Sequence, residues 1–514
     1  MADTVRVLPF EIAGYGAVLP YTGAFDNLGT LRRAVRTVHA ARPGADKILP
    51  DIDAAIRACS LHDGAVISFH HHLRNGDGVL NHVLDAVARA GLRDITVAAS
   101  ALFPVHAPLI DHIRSGVVTG LAASTIYGPL AKAISHGILA RPVLMYTHGG
   151  RARCIESGDL RIDVAFVAAP TADAYGNLTG AVGRAACGPL GYAVTDAQGA
   201  ERVVAITDTL VPYPTVPIEI GQDWVDFVVA VDSIGDPSQI VSGTTLATTN
   251  PVALNIADTA ARVIAASGLL KDGFSFQTGA GGASLAAAAY LGRIMSERGV
   301  QGSFAAGGIT AGIVEMFDAG LFRALMDVQA FDHAAVDSFR RSEAHQTMSA
   351  SMYANPHNRG CVVNRIDATI LGAAEIDRAF DVNVTTGTDG VILGGSGGHA
   401  DTAAGAKLTV ITTSLAAGRH AKVVERVTTR TTPGETVDVV VTDGGIAVNP
   451  RRPELAERLH AAGLPLTTID ALANRAAELA PVPPRDRSHD GRIVAVVEYR
   501  DGTVIDVVRA VPET

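Results

Sequence analysis

Cysteine is scarce in this 514-residue chain, with four residues at positions 59, 154, 187 and 361. None forms a Cys-x-x-Cys pair, so neither a zinc site nor a disulfide framework is expected, and a reducing cytoplasm is the expected setting. A cationic excess is missing too: 42 Lys and Arg against 52 Asp and Glu give a net charge of −10, which argues against general nucleic-acid binding. Long apolar runs are also lacking. The low-charge stretch FSFQTGAGGASLAAAAYLG, from Phe274, is broken by glycines and small residues, so no membrane span is expected. The opening MADTVRVLPFEIAGYG has neither the basic region nor the apolar run of a signal peptide. No Gly-Lys-Ser/Thr follows the glycine turns, which excludes a Walker loop. GAGGAS places Ser284 where a dinucleotide fingerprint needs its third glycine.

What the chain does have is an internal repeat, offset by about 205 residues. DGAVISFHHHLRNGDG from Asp63 is echoed by DGFSFQTGAGG from Asp272. Each reads as Asp-Gly, a short β-rich run, a polar or glycine-rich turn, a helix and another strand. LRIDVAFVAAP then matches NRIDATILGAA, and GAERVVAIT matches GAKLTVIT, in the same order. Short, apolar, β-branched strands alternate with helices, as in buried parallel sheets. The expected fold is therefore α/β: two homologous open α/β domains with mostly parallel sheets, over residues 1–224 and 225–450. A tail of helix, Pro-rich linker and β-hairpin over residues 451–514 follows. Its runs RIVAVVEY and TVIDVVRAV flank Asp501-Gly502, a hairpin signal.

Ligands of parallel α/β sheets collect where strands end and helices begin. Three turns have that character: FHHHLRNGDG (Phe69–Gly78), QTGAGG (Gln277–Gly282) and GGSGGH (Gly394–His399). Bare backbone N–H groups there could hold a phosphate, a carboxylate or a developing oxyanion. Each could equally serve a tight turn or helix packing. The run His70-His71-His72 invites a metal reading, but neighbours in extended chain face opposite ways and no Cys or acidic partner stands at ligand spacing. No metal site is expected. Anion contact or packing at a strand end fits these histidines better.

The sequence resembles the alpha-subunit family of citrate lyase, within the CoA-transferase superfamily. The resemblance runs from about Tyr21 to Leu479 and is carried by HHHLRNGDGV, TTNPVALNIA, FQTGAGGASLA, FAAGGIT, MSASMYANPHNRG, GGSGGHADTAAGAKLT and TTPGETVDVVVTDGGIAVNPRRP. It implies two CoA-transferase-like domains with the active site between them. It also implies an exchange of citrate with an acetyl thioester on an acyl carrier, giving citryl-carrier and acetate through a mixed anhydride. The implied partners are a beta (lyase) subunit and a gamma (acyl carrier) subunit, in a complex where this chain is expected to be a homo-oligomer. No tightly bound cofactor is implied; the thiol belongs to a CoA-like group, phosphoribosyl-dephospho-CoA, carried by the gamma subunit.

Many transferases of the superfamily use a glutamate that forms a covalent thioester with CoA. In the corresponding turn, GGITAG, Ala311 stands where that glutamate would be, with Glu315 four residues on. The alternative reading is thus an acyl-CoA:carboxylate CoA-transferase with a covalent glutamate intermediate, which Glu315 could supply if the turn shifts by a helical turn. On the resemblance, Gly307, Gly308 and Thr310 are the catalytic candidates. Gly279, Gly281, Gly282, Gly394, Gly395, Gly397 and Gly398 are candidates for the thioester arm. His71, Arg74, Asn75, Arg359 and His399 are candidates for citrate, a trianion that wants cationic partners. His399 could instead start a helix with Asp401.

Overall fold

The computed structural model describes residues 8–26, 44–70, 72–241, 248–279, 281–480, 482 and 491–512. Two large sheets organise it. Across the first, the strand order is Val504–Arg509, Ile493–Glu498, Val143–Met145, Val118–Ala123, Ile95–Ala99, Val66–Phe69, Val164–Ala169, Arg202–Thr207, Phe227–Ala230 and Ile48–Leu49. Every pairing is parallel except that of the two C-terminal strands. Across the second, the order is His345–Thr347, Phe322–Ala330, Gly302–Ile309, Ser275–Thr278, Ala368–Gly372, Leu408–Thr412, Val439–Thr442, Gly445–Val448 and Leu466–Thr467. Here only the pair Val439–Thr442 and Gly445–Val448 runs antiparallel.

The duplication is visible in these orders. Seven successive strands, from Val143–Met145 to Phe227–Ala230, match seven from His345–Thr347 to Val439–Thr442. A three-stranded sheet also recurs, with Thr171–Asp173 central in one half and Glu375–Asp377 central in the other. The repeated aspartates have one job in both halves. The Asp163 carboxylate accepts the Val66 N–H and that of Asp367 accepts the Ser275 N–H. Asp226 and Asp438 do the same for Val203 and Thr409. Each accepts an N–H from the first or second residue of a neighbouring parallel strand, where the strand begins.

The cores follow from sequence pattern. Val164–Ala169 (VAFVAA) is buried at every position, as expected of a strand covered on both faces. Helix Val79–Arg89 buries Val79, Leu80, Val83, Leu84, Ala86 and Val87, the one-sided stripe of a helix on a sheet. Helix Pro251–Ala266 starts on Asn250, whose side chain accepts the N–H groups of Val252 and Ala253.

The first sheet takes in Phe227–Ala230, beyond residue 224, and the tail is divided between the halves. Helices Pro453–Ala461 and Ile469–Leu479 pack on the second half. The hairpin crosses back, and Ile493–Glu498 pairs in parallel with Val143–Met145 at the edge of the first sheet. Glu498 ends that strand almost fully buried, and burial pushes its carboxyl up to about 7; the Tyr15 hydroxyl donates to it at 2.9 Å.

A carboxyl whose folded pKa is raised holds a proton that the unfolded chain has already lost. Its contribution to stability therefore falls as pH rises from about 4.5 to about 7, then levels off, on the order of 2–4 kcal/mol in all. Wild-type denaturant midpoints are expected to fall across that window. Glu498→Gln should flatten the fall, and an unchanged slope would place the proton elsewhere.

Candidate active site between the two halves

The two halves meet through glycine loops, and the contact is reciprocal. From the second half, Gly394–Gly398 lies across the strand ends of the first. Ile126 N–H donates to Gly394 O at 3.1 Å, Gly397 N–H to Ser124 O at 3.4 Å, and His148 N–H to Gly397 O at 2.8 Å. A Cβ on Gly395 would stand 2.2 Å from the Ser124 carbonyl oxygen. From the first half, the start of helix Gly191–Gly199 meets the second. A Cβ on Gly191 would stand 2.2 Å from the Met348 carbonyl oxygen and 2.6 Å from that of Val328. The bare backbone of GGSGG is thus needed first for backbone-to-backbone docking.

Beside these loops lies a buried polar cleft. The His70 ring ends strand Val66–Phe69, with Nδ1 hydrogen-bonded to the Ser100 hydroxyl. His72 stacks edge-on to it at 4.1 Å. Tyr192 joins His70, at 4.9 Å, to His148, at 4.5 Å. Burial pushes His72 and His148 down to about 3, with Arg151 adding to the effect at His148, so both are neutral at pH 7. Arg74, in the left-handed region at φ 56°, sets its guanidinium 5.1 Å from the Phe103 ring and 4.7 Å from the Phe331 ring, bridging the halves. Burial lowers its pKa, and the nearby Tyr127 and Tyr192 oppose that shift.

From the second half, Gln277 Nε2 donates to the Tyr353 hydroxyl at 2.7 Å and to Thr402 Oγ1 at 3.1 Å. Among the described residues, both His72 nitrogens, His148 Nδ1, Ser124 Oγ and Gln277 Oε1 are buried without a hydrogen-bond partner. Such a concentration is costly unless a polar ligand meets it.

A second cavity, of about 610 Å³, opens at the strand ends of the second sheet. Gly281–Ser284, Gly372–Ala373 and Thr412–Ser414 form its rim, with Lys422 and Asp443 among its walls. Burial lowers the Lys422 pKa. His399 connects the cavity to the glycine loop, because its Nε2 bonds Gly372 O at 2.9 Å.

The candidates from sequence separate accordingly. Arg74 is in the cleft, and Gly394, Gly395, Gly397 and Gly398 border it. Gly281 and Gly282 line the 610 Å³ cavity. Gly279 donates its N–H to Ile370 O at 2.7 Å, so that donor is spent within the sheet. Gly307 packs against the Gln277 side chain and Gly308 against the Phe331 ring. Thr310 is the buried N-cap position of helix Ala311–Asp318.

Three candidates for citrate stand elsewhere. Arg359 is exposed, in the turn at Asn358–Cys361. Asn75 Oδ1 accepts the Val105 N–H, holding a neighbouring loop. His399 has both ring nitrogens engaged, Nδ1 with Thr432 Oγ1 at 2.8 Å and Nε2 with Gly372 O. It begins helix His399–Gly405 instead of presenting a donor to a carboxylate. His71 lies outside the described residues. Glu315 is exposed on helix Ala311–Asp318, whose buried face is Ile313, Val314 and Met316.

His148, Tyr192 and Tyr353 were not among the candidates from sequence, and Gln277 entered only as the first residue of the turn QTGAGG. Only Gln277 had a local signal, one residue ahead of Thr278 and the glycine turn. A Ser338–His345–Asp327 chain, at 3.0 and 3.1 Å, has the order of a hydrolytic triad. All three residues are 0–2% exposed, so no substrate reaches the serine. Among the described residues no cluster of His, Cys, Asp and Glu is arranged to hold a metal, and no helix is long and apolar enough to cross a membrane.

Known proteins resemble this chain over nearly its whole length. A family model described as citrate lyase, alpha subunit, matches residues 45–511. The citrate lyase alpha chain of Escherichia coli (strain K12) is 48% identical over 488 residues, covering 95% of this chain and 96% of that one. That of Klebsiella pneumoniae is 48% identical over 511 residues, covering 99% of each. A solved Streptococcus mutans structure, a candidate citrate lyase alpha subunit in complex with citrate, superposes with a TM-score of 0.95 at 46% identity. It covers 99% of this chain and 100% of that one. A Pseudomonas malonate decarboxylase hetero-tetramer chain (TM-score 0.63, 16% identity, covering 87% of this chain and 96% of that one) shares the fold. So does a Porphyromonas gingivalis 4-hydroxybutyrate CoA-transferase (0.52, 18%, covering 81% and 98%).

The docking geometry makes a prediction independent of chemistry. Gly395→Ala drives a methyl into a backbone carbonyl that cannot swing aside. It should cost roughly 1–3 kcal/mol, read as a lowered denaturation midpoint. Gly312→Ala, at a helical site with open space around it and no left-handed backbone, is the control and should lose no stability.

Proposed function

The chain belongs to the citrate lyase alpha-subunit family and is a transferase-type enzyme, and we propose that it exchanges citrate for acetate on an acyl-carrier thioester. Acetyl-S-carrier and citrate give citryl-S-carrier and acetate. A citrate carboxylate oxygen attacks the thioester carbonyl, the C–S bond breaks, and a citryl–acetyl mixed anhydride and a thiolate result. The thiolate then attacks the citryl carbonyl, and acetate leaves with the bridging oxygen. Two tetrahedral oxyanions form on the way. Each needs pre-aimed donors in a site closed to water, because the anhydride hydrolyses readily.

The observation that carries this reading is the concentration, among the described residues, of buried polar atoms without hydrogen-bond partners (both His72 nitrogens, His148 Nδ1, Ser124 Oγ and Gln277 Oε1) beside a desolvated guanidinium. Arg74, His72 and His148 are assigned to the citrate carboxylates, with neutral imidazoles as hydrogen-bond donors. The citrate in the Streptococcus mutans structure, 46% identical to this chain, agrees with that substrate. The cavity at Gly281–Ser284 is assigned to the thioester arm. Its size falls in the usual range for small-molecule sites, and His399 links it to the glycine loop that borders the cleft. That arm is the CoA-like prosthetic group of a gamma subunit, and the citryl product passes to a beta subunit for cleavage.

The direct route is favoured over a glutamyl thioester because Ala311 holds the first position of its helix and Glu315 points outward. The test is release of labelled acetate from acetyl-CoA as carrier surrogate, followed with and without citrate, then borohydride to reduce any enzyme thioester. Citrate-dependent release without an adduct is the expected result. A reduced adduct on a glutamate would establish the covalent route, and no release even with an acetylated carrier protein would end the assignment. Arg74→Met should raise KM for citrate about tenfold or more, the range for a lost charge-assisted hydrogen bond, with a smaller effect on kcat.

A further inference from the structure

The C-terminal hairpin reaches the glycine loop through one side chain. We propose that Arg500 is a positioning residue: it holds loop Gly394–Gly398 in place over the cleft, and so makes the hairpin part of the catalytic apparatus. The inference rests on the transferase reading above.

Arg500 is 2% exposed and sits in the turn between strands Ile493–Glu498 and Val504–Arg509. That turn is fixed by Asp501, whose Oδ1 accepts both the Thr503 N–H at 2.9 Å and its hydroxyl at 2.7 Å. From this base the guanidinium enters the second half. Nη2 donates to Ala354 O at 3.2 Å, and Nε stands 3.6 Å from Asp401 Oδ1, an ion pair without a hydrogen bond. Asp401 lies in the first turn of helix His399–Gly405, three residues after Gly398. Its carboxylate accepts the Thr147 hydroxyl at 2.9 Å and the Gly149 N–H at 2.8 Å, both from the first half. Between Thr147 and Gly149, His148 N–H donates to Gly397 O. One buried carboxylate therefore ties the loop, the first half and the hairpin together, and Arg500 is the cation that balances it.

Removing one member of such a pair leaves an uncompensated charge in the interior. The groups around Asp401 are Arg500, Tyr353, Tyr192, Tyr499 and Cys361; Arg500 is the cation whose charge lowers its pKa. Burial already pushes the Asp401 carboxyl up to about 6 with Arg500 present. Without Arg500 the carboxyl rises further. It is then protonated near neutral pH and charged again only in more alkaline solution. A residue that merely braces the fold would not produce that dependence.

The experiment is citrate-dependent acetate release from pH 5.5 to 9 for wild type, Arg500→Gln and Arg500→Lys, with amide hydrogen exchange of residues 147–149 and 394–398. Arg500→Gln should lower kcat at pH 7 tenfold or more and change KM for citrate less than threefold. Its acid limb should move to higher pH, and exchange in both segments should quicken at least tenfold. Arg500→Lys, which keeps the charge, should recover a large part of each effect and keeps the question open to test if the Gln variant fails to fold. Profiles that overlay wild type, or a loss equal at every pH that Lys does not relieve, would overturn the proposal. If wild type releases no acetate, the transferase reading fails separately, and the exchange rates still decide whether Arg500 holds the loop.

Discussion

The structure depends on contact between bare backbones. At Gly395 and Gly191 the two halves approach so closely that a single methyl would fall about 2.2 Å from a carbonyl oxygen of the other half. Such contact is short-ranged and unforgiving, because main-chain atoms on both sides have no rotamer to yield. Since each half contributes one loop, the halves are held at two places with the cleft beside them. His148, Tyr192, Gln277 and Tyr353 then meet because their strand ends have been brought to one place.

A cleft formed this way is dry, and dryness sets its chemistry. Neutral imidazoles and a guanidinium lying between two phenylalanine rings have exchanged water for a low-dielectric surround. A carboxylate entering there gains more from each donor than it would at a surface. The same surround penalises a carboxylate of the protein itself, which is why Asp401, beside the loop, binds a proton so readily. Attraction for a foreign anion and strain on resident ones come from the same desolvation.

Much of the fold was legible because the repeat is written in local chemistry. The strand-capping aspartates in LRIDVAF and NRIDATI, and the glycine turns after the strands, leave marks that a sequence carries plainly. The glycine loop could be read as a place needing bare backbone, but its partner, the Ser124 carbonyl, is about 270 residues away in the chain and left no trace. His399 looked like a donor, since nothing nearby shows that Thr432 and Gly372 use both its nitrogens. Arg359 looked like a cation for citrate because composition cannot say which way a turn faces. His148 lies in YTHGGR, an ordinary helix start whose value comes only from what lies opposite. The hairpin was evident from its alternation, yet alternation does not say which sheet edge accepts the pair.

That destination has a consequence for how the protein is made. Strand Val143–Met145 finds its outer neighbour only in Ile493–Glu498, near the end of the chain. On the ribosome, the first sheet therefore stays open along that edge until residues 493–498 emerge, and exposes backbone groups that other chains could pair with. The earliest sheet is complete only once residues 493–498 have been made. A chain cut short before residue 493 would carry an unfinished sheet in its first half, however well that half had been translated.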